Sequence, residues 1–124
     1  MSESIESIQV WCAGEDWCPV TSTATLICRK WHPVIVHRLL NAGPMGFTEL
    51  KDEVDGVSSK VLSDSLEDLQ SKNLVDRSII SEKPFRVEYS LTSQGAELEP
   101  VIRAMEDWGQ NNLRAPADAN SGRF

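Results

Sequence analysis

The spacing of apolar positions changes character several times along the chain, and each change predicts an element. A proline in the first turn suits a helix start, so Cys18-Pro19 is expected to open a helix on which Ala24, Leu26, Ile27 and Trp31 recur at helical spacing. Pro33 interrupts, and Val34, Ile35, Val36, Leu39 and Leu40 predict a second helix ending before Asn41 and Gly43-Pro44. The segment GFTELKDEV predicts a third, short helix closed by Asp55-Gly56. Ser58 or Ser59 can then cap a longer one whose apolar face is Leu62, Leu66 and Leu69.

Beyond that helix the period shortens. Leu74 to Ile80 and Arg86 to Leu91 alternate enough for two strands, joined by a loop in which Pro84 must break the ladder. Thr92 can cap a last helix, with Leu98, Val101 or Ile102, Met105 and Trp108 on its inner face and Pro100 in an early turn or at a kink. Residues 1–16 are polar and acidic and read as an N-terminal arm; residues 114–124, including APADANSGRF, read as a disordered tail. The stretch between, 17–113, is expected to form one domain. The predicted class is mainly α with a small β-hairpin, and a helix with polar tips backed by a hairpin with a basic loop is the layout of a winged helix-turn-helix.

Composition narrows the function classes. No apolar run approaches the ~18 residues of a membrane span, and no signal-peptide pattern opens the sequence, so a soluble cytoplasmic protein is expected. Three cysteines, an odd number, argue against a disulfide framework. No Gly-rich phosphate loop, nucleophile elbow or zinc-protease motif is present, so neither an enzyme nor a cofactor is expected. The net charge of −7 opposes nucleic-acid binding at long range, although screening over ~10 Å at 0.1 M salt lets a local basic patch act.

Several residues are candidates for chemistry. A step of roughly 100° per residue puts Ser59 and Ser63 on the flank of the leucine-faced helix and Lys60, Asp64 and Glu67 outward. Ser58, Ser59, Lys60 and Ser63, at its N-terminal end, are therefore the candidates for base contacts in a DNA major groove. Against this, residues 47–72 carry three lysines and seven carboxylates, a net of −4, which suits a solvated face on a protein-interaction module. Lys83 and Arg86 flank Pro84-Phe85 at the loop tip, where they can touch phosphate, or simply blunt an edge strand. Lys51, Arg29 and Lys30 could supplement that patch.

Cys18 is the sharpest chemical candidate. A thiol at a helix start meets free N–H groups and the positive end of the helix dipole, which favours the oxidisable thiolate. Cys12 could act as its resolving partner; a buried apolar thiol is the bland alternative. Cys28, beside Leu26 and Ile27, is expected to pack in the core. Cys28, His32 and His37 do not have the spacing of a zinc module, and no metal is expected. Trp11, Trp17, Trp31 and Trp108 are expected at the core or a subunit seam, with a pocket for a flat organic effector as the other use.

Cys18-Pro19-Val20, Lys30-Trp31, the GP…FTEL block, SSKVLSDSLEDL, NLVDR, VEYSLTSQG and the final DWG together resemble the HxlR-type helix-turn-helix regulators, in that family's order and spacing, over about residues 18–109. The chain departs from the family pattern at Cys28 and Arg29, where paired glycines are usual, at Gly46, where a basic residue is common, and at Asp64 and Glu67, where glutamine and arginine are frequent. The resemblance implies a homodimeric regulator of transcription that binds double-stranded DNA, with terminal helices forming much of the dimer interface. It also implies, for many members, a response to oxidants or electrophiles through the cysteine at the place of Cys18.

Overall fold

The computed structural model describes residues 18–113. The predicted arm and tail, with Trp11, Cys12 and Trp17, lie outside the described residues. Within them the order is α1 (Pro19–Ile27), α2 (His32–Ala42), α3 (Phe47–Glu53), α4 (Ser59–Ser71), β1 (Val75–Glu82), β2 (Phe85–Leu91), α5 (Ser93–Ala96) and α6 (Glu99–Asn112).

Burial follows the apolar spacing. Ile35, Val36 and Leu39 of α2, Leu50 of α3 and Leu62, Leu66 and Leu69 of α4 are all essentially removed from solvent and meet Val54, Leu74, Val75 and Ile102 in one cluster. At about 1.5–3 kcal/mol per buried aliphatic side chain, this shared cluster is the main force holding α4 in place. Ser58 begins α4: its Oγ accepts from the Val61 N–H at 3.1 Å, satisfying one of the first-turn donors. The turn before it needs Gly56, whose φ of +92° an L side chain would resist.

The two strands form an antiparallel hairpin in which Val75 faces Leu91, Arg77 faces Tyr89 and Ile79 faces Val87, with a bulge between Ile79 and Ser81. An isolated bridge from Met45 to Tyr89 ties the hairpin to the segment entering α3. The assembly is mainly helical with a two-stranded wing, as the pattern predicts.

Four boundaries differ from expectation. α1 stops at Ile27, and Trp31 precedes α2 instead of ending α1. Pro33 sits in the first turn of α2 rather than ahead of it, because its missing N–H falls among donors that have no intrahelical partner. α2 also continues through Asn41 to Ala42. The last helix is split: Thr92 caps only the short α5, its Oγ1 accepting from the Gly95 N–H at 2.9 Å, and α6 begins anew with Pro100 in its first turn. The short α5 exists because Gly95 lies directly against the Leu74 carbonyl, an approach any Cβ would block.

Cys28 corrects another expectation. It is exposed, not core, because α1 ends there and the backbone leaves helical geometry at φ −87°, ψ 57°. Among the four tryptophans, Trp31 is half-buried against the core, whereas Trp108 is 61 % exposed.

Candidate nucleic-acid interface

With Leu62, Leu66 and Leu69 buried, the opposite side of α4 is turned to solvent, and Ser58, Ser59, Lys60 and Ser63 are all exposed there. The helix therefore presents the predicted residues, with two qualifications of chemistry. Ser58 Oγ already serves as the cap. Lys60 Nζ lies 3.0 Å from Asp64 Oδ2, with both side chains mostly exposed. An exposed i,i+4 pair contributes only about 0.3–0.5 kcal/mol. Lys60 can be drawn off by a phosphate, but part of its charge is already offset.

The wing is different. Lys83 is exposed in its turn, where Ser81 Oγ donates to the Pro84 carbonyl at 2.8 Å, whereas Arg86, expected in the loop, is exposed on β2 opposite Ser81. Among the described residues neither forms an ion pair, whereas Arg29, Lys60, Lys72 and Arg103 all do. The hairpin thus holds cations outside any ion pair among the described residues, as Lys51 of α3 is and Lys60 of α4 is not, although Asp76, Glu82 and Glu88 make the hairpin neutral as a whole. Of the other suggested cations, Arg29 pairs with Asp68 and Lys30 stacks on Trp31, 4.9 Å from the ring centroid.

A polar cluster that sequence reasoning missed fixes the far end of α4. His32, 3 % exposed at the start of α2, places Nε2 2.7 Å from Asp68 Oδ2. Lys72 Nζ reaches the same oxygen at 2.9 Å and approaches the carbonyls of Thr25 and Leu26 at 3.5 Å. Burial pushes the His32 pKa down, against the pull of Asp68. Burial would raise Asp68, but hydrogen bonds from His32 and Lys72 outweigh it and hold the carboxyl below its ordinary value. The consistent state is a neutral imidazole donating from Nε2 to a carboxylate, which leaves buried Nδ1 as a bare acceptor. The i,i+4 spacing of Asp68 and Lys72 is local, but nothing local signals His32, which lies 36 residues from Asp68.

Cys18 stands at the start of α1, half-buried, as expected. Hydrogen bonds from the Thr21 side chain, then from the backbone N–H groups of Thr21 and Val20, lower its pKa below the ordinary 9.0. Cys28 lies at the other end of the same helix, about 15 Å away along its axis, too far for a disulfide within one chain. His32 is engaged with Asp68 and His37 with Arg38 and Asn41. Among the described residues no three His, Cys, Asp or Glu side chains gather as metal ligands would.

α6 carries an exposed apolar groove along Pro100, Val101, Ala104, Met105, Trp108 and Leu113. No described helix is long and apolar enough to cross a membrane.

Comparison with known proteins agrees with this geometry. The transcriptional regulator YodB of Bacillus subtilis (strain 168) is 32 % identical over 96 residues, covering 77 % of this chain and 85 % of that one. A MarR-family transcriptional regulator structure from Porphyromonas gingivalis W83 superposes with a TM-score of 0.74 at 34 % identity, over 83 % of this chain and 99 % of that one. The redox regulator HypR in its oxidised form gives 0.73 at 31 % identity, over 79 % and 100 %. The family profile described as HxlR-like helix-turn-helix matches residues 26–117, most of the chain. A serine-capped helix with an exposed first turn, a two-stranded wing and these similarities converge: the chain belongs to the HxlR-like helix-turn-helix family and is a transcriptional regulator of that type.

Proposed function

We propose that the chain acts in the cytoplasm as a homodimer on pseudo-palindromic DNA, its regulatory unit spanning residues 17–113. Ser58, Ser59, Lys60 and Ser63 meet base edges in the major groove, and Lys83 and Arg86 rest on the backbone. The observation that carries this assignment is the pairing of an exposed, serine-capped first turn of α4 with exposed wing cations that form no ion pair among the described residues. Two such helices related by a two-fold axis read half-sites ~10 base pairs apart, or a multiple of that. The second copy covers the apolar groove of α6, where Met105, Trp108 and Leu113 are otherwise exposed.

Cys18 supplies the signal input. Its thiolate is favoured by the start of α1, and attack on a peroxide oxygen gives a sulfenic acid that a second thiol converts to a disulfide with loss of water. Support comes from the likeness to HypR, a redox regulator by its own description.

The test is binding of the purified, reduced protein to its own upstream DNA across a range of salt, repeated after mild oxidation and with Cys18→Ser. Selective, salt-weakened binding that oxidation changes in the wild type but not in Cys18→Ser is the expected result. Selective binding indifferent to oxidant removes the thiol switch and redirects attention to a small-molecule effector near Trp108. No selective binding in either state would instead make the −4 charge of residues 47–72 decisive and leave a protein partner.

A further inference from the structure

The wing and α3 enclose a groove of 480 Å³ of whose lining only Arg86 belongs to the interface just described. Phe47 and Thr48 of α3 form one wall; Arg77 of β1 with Phe85 and Arg86 of β2 form the other. Arg77 pairs across the ladder with Tyr89, and Tyr89 in turn bridges to Met45 just ahead of α3. The arginine is therefore carried on a strand whose distance from α3 is set by backbone hydrogen bonds between Met45 and Tyr89 at 2.7 and 3.0 Å.

Like Lys83 and Arg86, Arg77 forms no ion pair among the described residues. One carboxylate, Glu49, also lines the groove, but its Oε1 accepts from the Gly46 N–H at 2.8 Å and pairs with neither arginine. Two arginines outside any ion pair among the described residues thus line one groove in a chain of net charge −7. A body that reaches the major groove with a helix and the adjacent minor groove with a wing must cross the sugar–phosphate strand between them.

We propose that this groove seats a phosphate of the DNA backbone, with Arg77 as an additional binding residue. Its planar fork grips two phosphate oxygens, the Thr48 hydroxyl donates a further hydrogen bond, and Arg86 adds the second positive charge. Phe47 and Phe85 flank the anion and limit its access to water. The assignment rests on the DNA-binding role proposed above and extends it from the wing tip to the root of the hairpin. The contact orients the protein without reading sequence.

The experiment compares full-length wild type, Arg77→Ala and Arg77→Lys on an operator and on an unrelated duplex of equal length, by fluorescence anisotropy from 50 to 300 mM salt. Thermal melting of each variant accompanies it. Arg77→Ala is expected to weaken both duplexes by the same factor, roughly tenfold. It should also reduce the steepness of log affinity against log salt by about 0.9, the loss of one phosphate contact. Arg77→Lys should restore the slope and recover only part of the affinity, because a point charge lacks the fork. Equal affinity and slope for Arg77→Ala and wild type overturn the proposal while leaving the DNA-binding role standing. Loss confined to the operator also overturns it, since that would make Arg77 a base-reading residue. Weaker binding with an unchanged slope and a lowered melting temperature assigns Arg77 a structural role instead. A wild type that binds neither duplex removes the DNA-binding role and this contact together.

Discussion

Replacing Asp68 by alanine tests whether the His32–Asp68–Lys72 cluster holds the recognition helix to the rest of the domain. The carboxylate is 29 % exposed, but the partners it serves are not: His32 is 3 % and the Lys72 side chain 11 % exposed. Asp68→Ala leaves a buried imidazole N–H without an acceptor and a largely buried ammonium with only the Thr25 and Leu26 carbonyls, at 3.5 Å. A stranded buried donor costs about 1–3 kcal/mol, and breaking a fully buried ion pair about 3–5 kcal/mol. The exposed Arg29 contact, at 3.4 Å, adds almost nothing. Partial solvation of Asp68 lowers the expected total to about 2–3 kcal/mol, near 8–12 °C in melting temperature for a domain of this size.

The assay is urea and thermal unfolding at pH 7.5 and one fixed protein concentration, since dimerisation would couple the two. The double variant with His32→Ala measures the pairwise term, expected near 1–2 kcal/mol. A loss below about 0.5 kcal/mol in Asp68→Ala would refute the reasoning and class the cluster with ordinary surface pairs. The pH dependence adds a sign. Because His32 titrates below its ordinary 6.5 in the folded state, the unfolded chain binds more protons in that window. The stabilisation is complete above 6.5 and falls as pH drops through it. Asp68, also lowered, adds a loss only further down, below its ordinary 3.8.

Other expectations concern single elements. Gly95→Ala must displace the Leu74 carbonyl, and a loss of more than about 2 kcal/mol in denaturant unfolding is expected; a variant as stable as wild type would mean the α5 turn yields freely. Ser58→Ala removes the cap of α4 at a cost of about 1 kcal/mol, read in the same assay, while Ser59→Ala should be nearly neutral. Trp108→Asp places a charge in the exposed groove of α6 and should convert the proposed dimer to monomer in sedimentation velocity; an unchanged dimer would locate the seam elsewhere. Alkylation of Cys18 by iodoacetamide should reach half its limiting rate at a pH below 9.0, and a midpoint at or above 9.0 would deny the helix-start effect.

Much of this architecture is legible in the order of residues because local physics governs it. The leucine spacing of α4, the serine that caps it and the proline-broken hairpin each depend on neighbours a few positions away, and all three appear as predicted. The acid four residues after Lys60 is likewise visible in the sequence, and it is the residue that binds the lysine. Family membership adds up from many short motifs in a fixed order, which the matched span of residues 26–117 reflects.

Where several fates are compatible with one local pattern, only the folded chain chooses among them. Cys28 has apolar neighbours in sequence, yet the helix ends beneath it and turns it outward. The periodicity of residues 93–112 suits one helix, but Gly95 pressed on Leu74 closes a short turn first and redirects α6.

The sequence by itself therefore determines most of the helical and extended segments, where α4 begins, and that Cys18 sits at a helix start, since caps, prolines and apolar spacing act within one or two turns. Tertiary structure alone decides that Asp68 receives His32, that Lys83, Arg86 and Arg77 form no ion pair among the described residues, and that Arg77 and α3 line one groove. Those outcomes depend on distances between residues far apart in the chain, and such distances are set only when the shared apolar core brings the helices and the hairpin together.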